Sequence, residues 1–234
     1  MDKTLQGYVI CFLLLFLSAC GGGSEGDSTE ETTVQSNTEP RSISTNAIRS
    51  GQIGTVLNFD MTGTDSDGST LSGSILLANR EKTTVNGVMV TPVETMITID
   101  SPSFPSISIF SVGYKDESGS FVSVETPSNG LNCIPIYMGI MPLEVKSGDF
   151  GALGTLSCSD GTTMEMTWRA EEIVSGTFSG SFSIVVTTTM LRQTNTVSSS
   201  SNRYYVSDDG TVIGISIEAT TFDPIFYSFN LSSR

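Results

Sequence analysis

The chain reads as all-β: an antiparallel β-sandwich, built either as one large domain or as two smaller β modules. Three observations carry that expectation. Apolar and polar residues alternate at period two in several runs, turn dipeptides separate those runs, and no stretch sustains the 3.6-residue period of a helix. A helix finds room only as a short turn near Ala170 to Ile173.

The first strands are expected around Asp67-Gly68. Next, Lys82 to Val85 and Val88 to Val90 flank Asn86-Gly87, the dipeptide best suited to a two-residue hairpin turn. Ile107 and Ile109, then Val122 and Val124, alternate on either side of Ser118-Gly119. Pro127 to Pro135 interrupts the pattern, so 127–135 is a candidate boundary between modules or a long connection within one sandwich. No internal repeat aligns the two halves. After Asp160-Gly161, Met164, Met166 and Trp168 face one way while Thr163, Glu165, Thr167 and Arg169 face the other. That alternation makes Trp168 a core residue rather than a stacking platform. Asp209-Gly210 leads into Ile213, Ile215 and Ile217, and Ile225, Tyr227, Phe229 and Leu231 form the last alternating run.

Ahead of this body, about residues 47 to 234, lie two segments of different character. Tyr8 to Leu17 is apolar throughout, long enough for the hydrophobic region of a signal peptide and far short of the roughly 20 residues that a helix needs to span a bilayer. Leu17-Ser18-Ala19-Cys20-Gly21 closes it and resembles the lipobox of bacterial lipoproteins. The resemblance covers only about the first twenty residues and implies processing, not activity. It implies that 1–19 is removed, that Cys20 is lipidated with two or three acyl chains, palmitate among them, and that the mature protein stays in the cell envelope. Gly21, in place of the aspartate that retains such proteins at the inner membrane, favours the outer membrane. Residues 20–46 form the tether. They are rich in Gly, Ser, Thr, Glu and Asn, too poor in apolar residues to fold, and acidic enough to hold the body clear of an anionic surface.

The remaining cysteines fit an exported protein. Cys11 leaves with the signal and Cys20 takes lipid, which leaves Cys133 and Cys158 as an even pair and an expected disulfide in an oxidising compartment.

The chain has no histidine, which removes Ser-His-Asp and Cys-His hydrolases and histidine-ligated metals. No Gly-x-Ser-x-Gly elbow or Ser-x-x-Lys pair is present either. No cofactor is expected. Asp60, Asp65 and Asp67 could gather oxygens around calcium. Read as an EF-hand loop, however, the sequence puts Gly63 and Ser74 where acids are required, so charged turn tips are the preferred reading there and at Asp208-Asp209-Gly210. A net charge of −14 with scattered basic residues argues against nucleic acid. The sequence thus predicts a non-enzymatic, lipid-anchored β module whose ligand is unknown, binding or bracing an envelope protein or glycan. The alternative is a carboxylate-dependent enzyme acting on envelope or external glycans. A transmembrane barrel is disfavoured, since the chain closes on Ser-Ser-Arg and no long lipid-facing alternation is evident.

Overall fold

A computed structural model of the chain describes residues 41–45, 54–222 and 227–233. The signal segment 1–19, Cys20 and the tether as far as 40 lie outside the described residues. Fifteen strands follow one another: β1 (Ser42–Ser44), β2 (Val56–Asp65), β3 (Thr70–Asn79), β4 (Thr83–Val85), β5 (Val88–Asp100), β6 (Ile107–Lys115), β7 (Phe121–Thr126), β8 (Leu131–Met138), β9 (Glu144–Lys146), β10 (Phe150–Cys158), β11 (Thr163–Glu172), β12 (Phe182–Arg192), β13 (Asn195–Val206), β14 (Val212–Thr221) and β15 (Tyr227–Ser233).

Twelve of them form one antiparallel meander that closes on itself: β3 pairs with β5, and β15 pairs back to β2. The expected sandwich is therefore a closed barrel. Both architectures turn the same alternating residues inward, and the choice rests on the last pairing, Phe229 opposite Asp65 and Leu231 opposite Gly63. Closure also satisfies the edge backbone groups that an open sheet would leave exposed.

The alternation fills the barrel. Ile75, Ile97 and Ile109 pair in a row across β3, β5 and β6, all fully buried. Across the far wall Met164 faces Met190, and Trp168 faces Val186. Each such side chain contributes about 1.5–3 kcal/mol through its burial. Ile213 departs from the expected core face of β14: a bulge opposite Tyr205 and Val206 shifts the register and leaves it exposed while Ile215 and Ile217 stay buried. The outer wall of β11, β12 and β13 presents Thr163, Glu165, Thr187, Thr189, Ser199 and Ser201. A spanning barrel needs the opposite arrangement, an apolar band outside.

Turn chemistry sets the strand lengths. Asn86 (φ 51°) and Gly87 (φ 80°) make the expected two-residue hairpin between Val85 and Val88. At 65–69, Gly68 takes φ 80° while the Gly68 N–H donates to the Asp65 carbonyl and the Asp65 N–H to that of Ser69. The same pattern of bonds closes the turns at 116–120, 158–162 and 207–211. Residues 127–130, the candidate boundary's first half, are the turn of the β7–β8 hairpin, with Thr126 opposite Leu131. Pro127 and Asn129-Gly130 mark a turn inside one continuous sheet, not a division between modules. Near Ala170 to Ile173 the chain is strand β11 and then loop, without a helical turn.

Because the strands alternate in direction, every second connection lies at the same end. One end carries the connections 80–87, 116–120, 139–149, 173–181 and 207–211. There β1 pairs with β9, and buried Ile43, Val145 and Met141 close the barrel. Residues 41–45, which the sequence assigns to the tether, are thus part of the folded body. Arg41 fixes the entry point: its guanidinium donates to the Gly180 carbonyl at 2.7 Å and pairs with Asp208 and, at 3.7 Å, with Glu172. We call this the tether end and the opposite one the distal end.

Candidate functional site

A groove of about 680 Å³ runs over the outer wall of β10, β11 and β12. Strand pairing builds it: Phe150 lies opposite Arg169 and Ala152 opposite Thr167, while Arg169 and Thr167 lie opposite Val185 and Thr187. A bulge between Ala152 and Gly154 bends the start of β10, and Phe150 stands 77% exposed at the groove's edge. Outward-pointing Val185 is nevertheless buried, because it sits between the stems of Arg169 and Arg203.

Those two arginines share one carboxylate. Arg169 Nε pairs with Glu171 Oε1 at 2.8 Å, and Arg203 Nη1 donates to Glu171 Oε2 and, at 2.9 Å, to Ser183 Oγ. Beyond them Phe178 stacks on Tyr205, with ring centroids 4.1 Å apart, and lies so close to Gly214 that any side chain there would collide with it. Arg169, 59% exposed at its side chain, is the one charged residue lining the groove.

β8 extends this surface, since it is hydrogen-bonded to β10. Ile134 lies opposite Ser157 and Tyr137 opposite Thr155. A register shift beside them leaves Ile136 exposed as well; Ile134, Ile136 and Tyr137 are 57%, 66% and 56% exposed. Sequence reasoning missed them, because Asn-Cys-Ile-Pro read as a break instead of a strand. The adjacent Ile134 and Ile136 around Pro135 are the signal that was there to find.

Cys133 and Cys158, opposite one another on β8 and β10, are joined by a disulfide inside the barrel. The calcium candidates are not brought together. Asp60 points outward from β2, whereas Asp65 is buried and its Oδ1 accepts the backbone N–H groups of Asp67 (3.0 Å) and Ser69 (2.9 Å). Among the described residues no three Asp, Glu or Cys side chains converge as a metal site. Asp209 likewise serves its turn. Hydrogen bonds from the Ser207 hydroxyl and from Thr211 hold its carboxyl below the usual range. Asp208 pairs with Arg41.

A shallower recess of about 300 Å³ lies over β2, β15 and β14, lined by Thr64, Glu218, Thr220, Ser228 and Asn230. At its edge the Tyr227 hydroxyl faces Asp65 at 3.5 Å, and burial, then that carboxylate, pushes the phenol well above its ordinary range. Inside the barrel, Trp168 Nε1, Thr188 Oγ1 and the amide of Asn202 are buried without a hydrogen-bond partner among the described residues.

No family model matches the chain, and no curated protein matches it. One solved structure does: a protein of Parabacteroides distasonis ATCC 8503 described as a "putative lipoprotein", 13% identical, aligned over 78% of this chain and 95% of that one, with a TM-score of 0.31. At that score the likeness carries nothing about this chain's role.

Proposed function

We propose that the protein is a lipid-anchored component of the bacterial envelope, held by Cys20 at the outer membrane, and that its barrel is a binding module for another envelope protein. The observation that supports a protein partner is the run of exposed Ile134, Ile136 and Tyr137 on β8, with exposed Phe150 further along neighbouring β10 opposite Arg169. Exposed aliphatic and aromatic side chains on one wall are what protein interfaces use, and a soluble wall rarely leaves them uncovered. Isoleucines add little to glycan recognition. The groove's single charged lining residue also supports binding over the glycan-enzyme alternative, which needs two carboxyl groups facing one another.

The test is site-specific photo-crosslinking in the intact envelope from positions 136 and 150, with Asp60 on the opposite wall as control. A partner adduct of discrete mass is expected from 136 and 150, absent from 60, and lost with Arg169→Glu. An adduct of twice the protein's own mass would make the partner a second copy. Equal labelling from all three positions would refute the site. Turnover of a glycan, tested against a panel that includes peptidoglycan, would replace the proposal with the alternative.

A further inference from the structure

The two ends of the barrel differ in a way that a freely suspended body does not require. At the tether end Val56, Val88, Met89, Ile140, Leu143 and Val174 are exposed, Leu143 by 58% and Val174 by 84%. The β4–β5 hairpin that carries Val88 and Met89 overhangs the rim, because the barrel pairing of β3 with β5 begins only at Asn79 opposite Val93. At the distal end Phe222 is the one comparably exposed large apolar side chain among the described residues. Charge does not separate the ends: acids outnumber bases at both, and around the tether end Arg41, Arg80 and Lys82 are each paired with one, Arg80 with Glu94 at 2.6 Å and Lys82 with Glu117 at 2.7 Å.

We infer that the tether end is a membrane-contact face, with Leu143, Val174 and Met89 seated in the headgroup region of the bilayer that holds the lipid. The inference rests on the anchor at Cys20. The twenty-two residues from Cys20 to Arg41 reach at most about 70 Å, and they end on the face that carries these apolar side chains. A tether of that length keeps the face at roughly millimolar effective concentration at the surface, so a contact with a Kd in the millimolar range is occupied about half the time. Exposed aliphatic side chains suit an interface where lipid polarity changes, so the contact is apolar and not electrostatic. The apolar contact has to outweigh the repulsion that the acidic tether and the carboxylates of the rim feel from an anionic surface.

Spin labels test this on the acylated protein in vesicles of phosphatidylethanolamine and phosphatidylglycerol. Val174→Cys, Leu143→Cys and, as distal control, Ser103→Cys each provide one reactive thiol, because Cys20 is acylated and Cys133–Cys158 bonded. Labels at 143 and 174 are expected to collide with oxygen at least twofold more, relative to a water-soluble nickel complex, than the label at 103. Vesicle-bound protein whose three labels are equally water-exposed would overturn the contact face and leave the anchor standing. Protein that fails to float with the vesicles would overturn the anchor, and the inference with it.

Discussion

Reducing Cys133–Cys158 should weaken the fold by an amount that its place in the chain sets. The two cysteines are 25 residues apart, and the loop they close contains the 139–149 connection and β9, half of the pair that seals the tether end. In the chain-entropy account a loop of that length contributes about 3.5 kcal/mol by restricting the unfolded chain. Both cysteines are buried, so the reduced thiols stay in the same apolar surroundings and add little hydration change of their own. For a body of this size about 1 kcal/mol shifts the midpoint by roughly 2–4 °C, which puts the expected loss at roughly 7–14 °C. The assay is urea denaturation at 25 °C of protein refolded with and without reductant, alongside a thermal melt. Unfolding free energies that agree within about 1 kcal/mol would refute the reasoning, and would place residual structure in the reduced, unfolded chain.

Three further outcomes follow from buried or strained groups. Asn202→Leu should raise stability by about 1–3 kcal/mol in urea melts, because it removes a buried amide with no protein partner among the described residues; a fall of similar size would mean that ordered water holds the amide. Gly68→Ala should cost about 1–2 kcal/mol, since it forces a side chain into φ 80°, and an unchanged melting curve would deny that conformation. Burial, helped by Glu125 and Asp65 respectively, raises the phenols of Tyr114 and Tyr227, and burial alone raises Tyr204. The folded protein therefore keeps these phenols neutral where the unfolded chain ionises them. Their contribution is complete below pH 10 and is lost as pH rises from there through the folded values. Tyrosinate absorbance should lag behind that of the urea-unfolded chain above pH 10, and coincident titrations would contradict this.

Much of the fold is legible because it is local. Alternation in Met164, Met166 and Trp168 fixes which face is inside, and Asn86-Gly87 fixes a hairpin, each within a few residues. Closure is not local. It depends on Phe229 meeting Asp65, far apart in the chain, and nothing in either strand's pattern distinguishes that partner from an edge left open. Bulges hide the surface site in the same way. Phe150 and Ile136 lie beside register shifts on β10 and β8 that the sequence marks only through Gly154 and Pro135. Ile43 was unreadable for another reason: three strand residues within a polar stretch bury one isoleucine, and tertiary contact with Val145 outweighs the composition around it.

Intact mass spectrometry of the protein extracted from membranes tests the central claim, a folded barrel held to the envelope by lipid on Cys20. The expected species begins at Cys20, carries a diacylglyceryl group with or without a third acyl chain on its amine, and is two daltons lighter than the dithiol because of Cys133–Cys158. Cys20→Ser should abolish the lipid mass and release the protein from washed membranes. A wild-type chain that retains residues 1–19, or that begins at Cys20 without lipid, would contradict the account.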